Sequence, residues 1–528
     1  MGAALAAIPY LFAPKEAPAP FTRYGHIRNI ASHSQSGFNL KLLIIMAAAL
    51  LVAMPATAQQ DSVEPTLDLE DCRIRAGRGF PGIKARCGTL ERHEDPSNPD
   101  SPMLELFVAV VPALTLEPEP DPFVPIAGGP GQGTVDFYAA YRSAFEMVRR
   151  DRDIVLLDQR GTGESAAMNC ETDDDYIEGN YSREQTLRFT EECLDQLPHN
   201  PRFFTTSVAV RDLEALREAL GYTQFNLYGI SYGSRVAQHF ARRFPESTRT
   251  VILDGVAPPQ VALGPGIAVE SQYALEAIFD RCEEESTCAA QFPELRDEFT
   301  MLQAELKQQP VTLTLPDPLT GKPEEIDFGT PEMAVALRLL SYHPSTVAIL
   351  PMLINEAATG NYAPLAAQTL MIAESLDEAM ALGMHNAVVC TEDAPYFDGE
   401  QVSQEALDAT FIGAEQIETL RAICSIWPAG LLDEEFKTPL KTDLPVLLLS
   451  GEADPVTPPK YAELASVDLD NARLLVGRKQ GHGQAARGCM PDLIGEFVTD
   501  ADPTGLDATC FERVHAMPFF LDFSGPSE

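Results

Sequence analysis

Gln224-Phe-Asn-Leu-Tyr-Gly-Ile-Ser-Tyr-Gly-Ser234 is an apolar run that stops abruptly at Gly229-Ile-Ser-Tyr-Gly233. It passes at once into helical spacing at Arg235, Val236, Ala237, Phe240 and Ala241, closed by Pro245. The pattern reads as strand, sharp turn and helix, with glycines where the three crowd together. A serine at the tip of such a turn is lifted clear of the backbone, as in a nucleophile elbow. Ordinary Gly-rich turns also close strands, so a catalytic Ser231 requires a base, an orienting acid and an oxyanion site elsewhere in the chain.

The flanking sequence has an α/β rhythm. Met103 to Leu116 is strand-like, and Phe123-Val-Pro-Ile-Ala127 delivers the chain into Gly128-Gly-Pro-Gly-Gln-Gly133. Helical spacing follows through Tyr138, Tyr141, Phe145 and Val148. Asp153-Ile-Val-Leu-Leu-Asp158 suits a central parallel strand and ends in Gln159-Arg-Gly-Thr-Gly-Glu-Ser165. A helix over Val208 to Leu220 precedes the strand before Ser231, and Arg249-Thr-Val-Ile-Leu-Asp254 supplies another strand. Asp212 reads as an N-terminal helix carboxylate, favourable with the helix dipole. Strands alternating with helices predict an α/β fold with a mostly parallel, doubly wound sheet, whose ligands sit beyond the carboxyl ends of the strands. From residue 258 to 437 helical segments dominate, which predicts an inserted, mainly helical cap. The sheet then resumes with Leu444-Pro-Val-Leu-Leu-Leu-Ser450 and Ala472-Arg-Leu-Leu-Val476. The predicted organisation is therefore a leader over 1–58, core over 59–257, cap over 258–437 and core over 438–528.

The two late strands end in the missing partners. The first runs into Gly451-Glu-Ala-Asp454, the second is followed by Gly481-His482-Gly483. The order Ser231, Asp454, His482 is that of α/β-hydrolases rather than of chymotrypsin or subtilisin. A serine hydroxyl is a poor nucleophile until an imidazole takes its proton, and a carboxylate holds that imidazole in the required tautomer. The N–H of Tyr232 and the Gly128-Gly129 turn would bind the developing oxyanion. The Gly128 to Gly133 run lacks the Lys-Ser/Thr of a phosphate cradle, so no nucleotide or other cofactor is implied.

Composition bounds the rest. Among 528 residues, 78 acids against 38 Lys and Arg leave a net charge of −40, which disfavours nucleic acid and anionic membranes. Lys41, the apolar run Leu42 to Met54 and the ending Pro55-Ala-Thr-Ala58 form the parts of a secretory signal cleaved after Ala58. The cleaved protein is expected in the periplasm or outside the cell, with no stable membrane association. All ten cysteines lie beyond that point, and an even count in an exported chain suggests disulfides. Sequence does not determine connectivity; the sequential pairs 72–87, 170–193, 282–288, 390–424 and 489–510 are the working hypothesis. The cysteines concerned are Cys72, Cys87, Cys170, Cys193, Cys282, Cys288, Cys390, Cys424, Cys489 and Cys510. No C-x-x-C spacing occurs, so no metal site is expected.

Gly128-Gly-Pro-Gly131, Asp158-Gln-Arg-Gly-Thr-Gly-Glu-Ser165 and Gly229-Ile-Ser-Tyr-Gly233 together resemble the prolyl aminopeptidase and tripeptidyl aminopeptidase family of α/β-hydrolases. The stretch from Leu444 to Cys510 resembles the C-terminal segment of the secreted tripeptidyl branch. Ala127 stands where many relatives carry a histidine. Arg160 is expected to pair with nearby carboxylates and fix the turn beside the oxyanion loop. The resemblance implies an exopeptidase acting on peptides with a free N-terminus, whose ammonium needs carboxylates under the cap. Glu392 and Asp393, beside Cys390 in a segment resembling the secreted branch, are the candidates. An ester hydrolase on the same fold and a catalytically silent binding protein are the alternatives.

Overall fold

The structure, a computed structural model, describes residues 66–75, 82–170, 182–318, 320–399 and 402–526. The leader and cleavage site expected over 1–58 lie outside the described residues. Among the described residues there are eleven strands: β1 (Glu70–Ile74), β2 (Ile83–His93), β3 (Met103–Val111), β4 (Phe123–Ile126), β5 (Ile154–Leu157), β6 (Phe225–Ile230), β7 (Thr248–Asp254), β8 (Val311–Pro316), β9 (Pro323–Phe328), β10 (Val446–Gly451) and β11 (Ala472–Gly477). Nine form one sheet in the order β1-β2-β3-β5-β4-β6-β7-β10-β11, while β8 and β9 pair as a separate hairpin. Every neighbouring pair from β5 to β11 is parallel, and β1, β2 and β3 extend the sheet antiparallel.

The parallel strands read as continuous apolar runs because helices cover both faces. Along β6, Phe225 and Leu227 enter one core while Tyr228 and Ile230 enter the other. Along β10, Val446 and Leu448 alternate with Leu447 and Leu449 in the same way. Strand β3 stops at Val111, short of the expected Leu116, because Pro112 has no N–H to continue the ladder.

Helices of eight residues or more are numbered α1 (Thr134–Tyr141), α2 (Arg183–Gln196), α3 (Thr206–Leu220), α4 (Tyr232–Arg243), α5 (Pro265–Glu284), α6 (Leu295–Gln308), α7 (Thr330–Leu340), α8 (Leu350–Ala358), α9 (Ala363–Ala379), α10 (Leu382–Glu392), α11 (Glu415–Ile426), α12 (Pro459–Ser466) and α13 (Met490–Asp500). The chain between β7 and β10 is mainly helical, interrupted by the β8–β9 hairpin. Helices α5 to α9 bury a core of their own around Phe279, Phe299, Leu337, Leu353 and Leu365. Helices α10 and α11 belong elsewhere: Met384, Val388, Cys390 and Ile423 join the core of the sheet.

Three expectations are corrected. The start of the predicted core, read without strands before Met103, contains β1 and β2, whose interspersed charges hid the strand pattern. Residues 258–437 do not pack as one unit, since α10 and α11 rest on the sheet and Phe519, from the far C-terminal stretch, packs into the insertion's core. Asp212 lies in the interior of α3 rather than at its start, buried against Arg160. The ten cysteines are bridged as 72–87, 170–193, 282–288, 390–424 and 489–510.

Candidate active site

Strand β6 ends at Ile230 and α4 begins at Tyr232, so Ser231 alone makes the turn. Its φ of 56° and ψ of −125° lie outside the regions that L-residues favour, a strain the surrounding contacts must hold. Gly229 and Gly233 are obligatory there. A Cβ at Gly229 would lie 2.2 Å from the Gly233 carbonyl oxygen, and one at Gly233 would lie 2.3 Å from that of Ile126. The Ser231 N–H donates to the Asp254 carbonyl at 2.8 Å, and its own carbonyl accepts from Ser234 Oγ at 2.6 Å. Ser231 is half-buried, and the Gly128 turn lies against it, with a notional Gly128 Cβ 3.8 Å from Ser231 Oγ.

Asp454 and His482 meet in the loops that follow β10 and β11. His482 Nδ1 donates to Asp454 Oδ2 at 2.7 Å. Asp454 Oδ1 accepts the N–H groups of Val456 and Thr457, both at 2.9 Å, and Thr457 Oγ1 donates to Oδ2 at 2.9 Å. Burial alone would raise the Asp454 carboxyl; the adjoining His482 ring and these hydrogen bonds outweigh it and hold the group below the usual carboxylate range. His482 Nε2 is buried with no hydrogen-bond partner among the described residues. An imidazole with one nitrogen fixed on a carboxylate and the other left as a bare acceptor is set up to take a proton.

One residue, Asp254, ties the His482 loop to the Ser231 turn. While the Asp254 carbonyl holds Ser231, its carboxylate accepts from the N–H groups of Gln484 and Ala485 and from Tyr228 Oη, at 2.8 to 2.9 Å. Beside it, a notional Cβ at Gly255 would sit 2.7 Å from His482 Cε1, and one at Gly483 would sit 3.0 Å from Ile230 Cδ1. The chain neighbours of Ser231 and His482 thus lie too close together for a side chain at position 483 to fit without a shift. Burial raises the Asp254 carboxyl, against the pull of these donors. The helical insertion also contributes: the His482 N–H donates to the Tyr342 carbonyl at 2.8 Å, with the two rings 5.0 Å apart.

The Gly-rich loop from Gly128 to Gly133 is held from behind. Asp158 Oδ1 accepts the Val135 N–H at the start of α1, and Oδ2 accepts the Glu164 N–H. Burial, against these two bonds, pushes Asp158 up to about 6. Arg160 is 1% exposed and grips Asp212 with Nε at 2.6 Å and Nη2 at 2.8 Å, while Nη1 reaches the carbonyls of Glu94 and Phe203. From the insertion, the Ala381 N–H donates to the Gly131 carbonyl at 2.9 Å. A cavity of about 510 Å³ adjoins this loop, lined by Gly131, Gly133, Asp136, Glu164, Glu378 and Met380 among others, but not by Ser231 or His482.

Glu392 and Asp393 close α10 rather than occupying a loop, and both are buried, at 0% and 1%. Glu392 accepts from the Thr206 N–H and Oγ1 at 2.8 and 2.9 Å. Asp393 receives Arg235 Nη1 at 2.9 and 3.0 Å, the Leu263 N–H at 3.0 Å and Lys437 Nζ at 3.5 Å. Sequence reading gave no role to Asp254, Thr206 or Thr457. Thr457 had a signal, because Asp-x-x-Thr after a strand is an Asx-turn pattern; Thr206 and Asp254 meet their partners only through the tertiary fold.

A parallel sheet with a serine elbow, an Asp-His pair and a Gly-rich loop at its carboxyl edge defines a serine hydrolase of the α/β-hydrolase fold. The family model described as alpha/beta hydrolase fold matches residues 121–274, and that described as TAP-like protein matches residues 409–510. The chain is 25% identical to the putative hydrolase YuaR of Escherichia coli, over 76% of this chain and 82% of that protein. It is 26% identical to the serine protease Hip1 of Mycobacterium tuberculosis, over 73% and 79% respectively. With the tripeptidyl aminopeptidase of Streptomyces coelicolor it shares 23% identity over 74% and 76%. The chain has the α/β-hydrolase fold, and the proteins it matches fit the prolyl and tripeptidyl aminopeptidase family.

Proposed function

We propose that this serine hydrolase is an exported exopeptidase that releases N-terminal residues from peptides through Ser231, His482 and Asp454. The observation that carries the reading is His482: one ring nitrogen is locked on Asp454, while the other is buried without a partner in a loop touching the residue before Ser231. Ser231 Oγ attacks the scissile carbonyl carbon as His482 Nε2 takes its proton. The carbonyl oxygen becomes an oxyanion facing the Tyr232 N–H and the Gly128-Gly129 turn. His482 then passes the proton to the departing amine, leaving an acyl-enzyme that water hydrolyses by the same relay.

Peptide substrates are supported by the relatives, one named a serine protease and one a tripeptidyl aminopeptidase. Export is supported by five disulfides, which persist in oxidising compartments. Among the described residues no helix is long and apolar enough to cross a membrane. The insertion between β7 and β10 is read as a cap whose depth sets how many residues are released. Recognition of the substrate's ammonium is moved away from Glu392 and Asp393, because neither reaches solvent and their oxygens are engaged by Thr206, Arg235, Leu263 and Lys437.

The test is steady-state hydrolysis of fluorogenic Pro, Ala and Ala-Ala-Phe amides, free and N-blocked, beside a short-chain ester. Free-amine peptides should turn over and blocked ones should not, with Ser231→Ala lowering kcat by on the order of 10⁴-fold or more. Turnover of the ester alone would replace the peptidase reading with an esterase.

A further inference from the structure

The side chain of Tyr232 is the middle link of a chain of hydrogen bonds that reaches from the Asp158-Gln-Arg-Gly turn to the helical insertion. Gln159 Nε2 donates to Tyr232 Oη at 3.0 Å. Tyr232 Oη and Thr206 Oγ1 are 2.6 Å apart, and Thr206 Oγ1 donates to Glu392 Oε2 at 2.9 Å. When Glu392 is ionised it can only accept, so the one hydroxyl proton of Thr206 goes to it. Tyr232 must therefore donate to Thr206 and accept from Gln159, so the chain runs in one direction and terminates on the carboxylate. Its ends are anchored independently. Glu392 Oε1 accepts the Thr206 N–H, which makes it the N-terminal anion of α3 in place of a capping side chain from Thr205. Helix α10, which carries Glu392, is bridged to α11 through Cys390 and Cys424. Thr206, Tyr232 and Glu392 are at most 2% exposed, so water does not compete for these bonds.

We propose that Thr206 and Glu392 are positioning residues: through the Tyr232 side chain they fix the Tyr232 peptide N–H that faces the oxyanion, so that the insertion helps to set transition-state stabilisation. This rests on reading the site as acyl transfer, not on the identity of the substrate. Tyr232 follows the strained Ser231 directly, and the two glycines around it cannot hold it by side-chain packing. A phenol fixed at its far end removes the remaining rotation of that peptide. Such a donor acts on the transition state more than on bound substrate, so its misplacement lowers kcat and leaves KM nearly unchanged.

The experiment uses the full-length mature protein with two readouts: hydrolysis of a short-chain ester and of a free-amine peptide amide, and the second-order rate of Ser231 labelling by a fluorophosphonate, whose phosphoryl oxygen occupies the same hole. Thr206→Val, which keeps the shape and removes the hydroxyl, is expected to lower kcat about 10- to 100-fold on ester and amide alike, with KM within about twofold. Thr206→Ser is expected to recover activity to within about threefold of wild type. Tyr232→Phe should match Thr206→Val, and the double variant should be no worse than either, because both cut one chain. Labelling rates should fall in parallel, which keeps the inference testable if neither substrate turns over. If the ester is hydrolysed and the peptides are not, the peptidase reading fails while the ester series still decides this inference.

Wild-type kcat and labelling rate in a folded Thr206→Val protein would overturn the proposal. So would failure of Thr206→Ser to recover, which would make the threonine's role one of packing. A third overturning result is Glu392→Gln raising KM for free-amine peptides alone with the ester untouched, which would put Glu392 in contact with the substrate's ammonium.

Discussion

Asp454 and Glu392 are carboxylates sealed from solvent to nearly the same degree, 2% and 0% exposed, and the protein pushes them in opposite directions. Burial dominates Glu392 and raises it to about 7, because its donors from Thr206 are neutral and the pull of Arg235 is countered by the neighbouring Asp393. Asp454 carries the same burial cost, yet the His482 ring and the donors from His482, Thr457 and Val456 bring it below the usual range. Burial therefore does not decide the charge of a carboxylate in this site; the partner's ability to become a cation does. The carboxylate paired with His482 is kept negative. The one that anchors a hydrogen-bond chain needs only to accept.

Exchanging the carboxylate of Asp454 is the most direct way to break the comparison. Asp454→Asn keeps the size and most of the turn but cannot compel His482 to carry its proton on Nδ1. We expect kcat on the short-chain ester to fall about 10⁴-fold with the fold intact, the scale set by loss of the orienting acid in a serine triad. A fall of less than about tenfold would mean that another group orients His482.

Asp212 sharpens the same contrast, since it is a buried carboxylate with a permanently charged partner. Arg160 holds both of its oxygens and also three backbone carbonyls, from His93, Glu94 and Phe203. Arg160→Ala leaves Asp212 with Arg92 alone, through one bond at 3.1 Å. Breaking a buried pair from one side costs about 3–5 kcal/mol, read as a lower midpoint in urea at unchanged slope. A loss below about 1 kcal/mol would mean that Arg92 and local relaxation replace Arg160.

These cases also mark how far the sequence was legible. The parallel strands, the elbow and the late Asp and His turns were readable because each is local: a continuous apolar run, a glycine pair, or a residue placed at a strand end. The family and the α/β-hydrolase fold followed from those motifs. The hairpin β1–β2 was missed because a half-exposed strand next to the sheet edge, such as Ile83-Lys-Ala-Arg-Cys-Gly, carries charges at every second position. The division at 258 and 437 was read from helical content, which does not say what a helix packs against; α10 and α11 lie on the sheet. Glu392 was read as a carboxylate for the substrate's ammonium, because its partner Thr206 lies 186 residues away and no local pattern reports that contact.

The smallest effect expected is a pH dependence of stability that belongs to Glu392. A carboxyl whose folded pKa of about 7 exceeds its ordinary value of 4.5 binds its proton more tightly in the folded chain. Its contribution is fully present below the unfolded pKa and is lost as pH rises through about 7. Between pH 5 and pH 8 this amounts to roughly 2–3 kcal/mol. Other groups titrate in the same interval, Asp158 at about 6 among them, so the measurement is the difference between wild type and Glu392→Gln. Those groups are common to both proteins and cancel. The urea stability of wild type relative to the variant should decline by about that amount from pH 5 to pH 8. A flat difference would mean that Arg235 keeps Glu392 ionised throughout, despite its pairing with Asp393, and the two carboxylates of this site would then be alike.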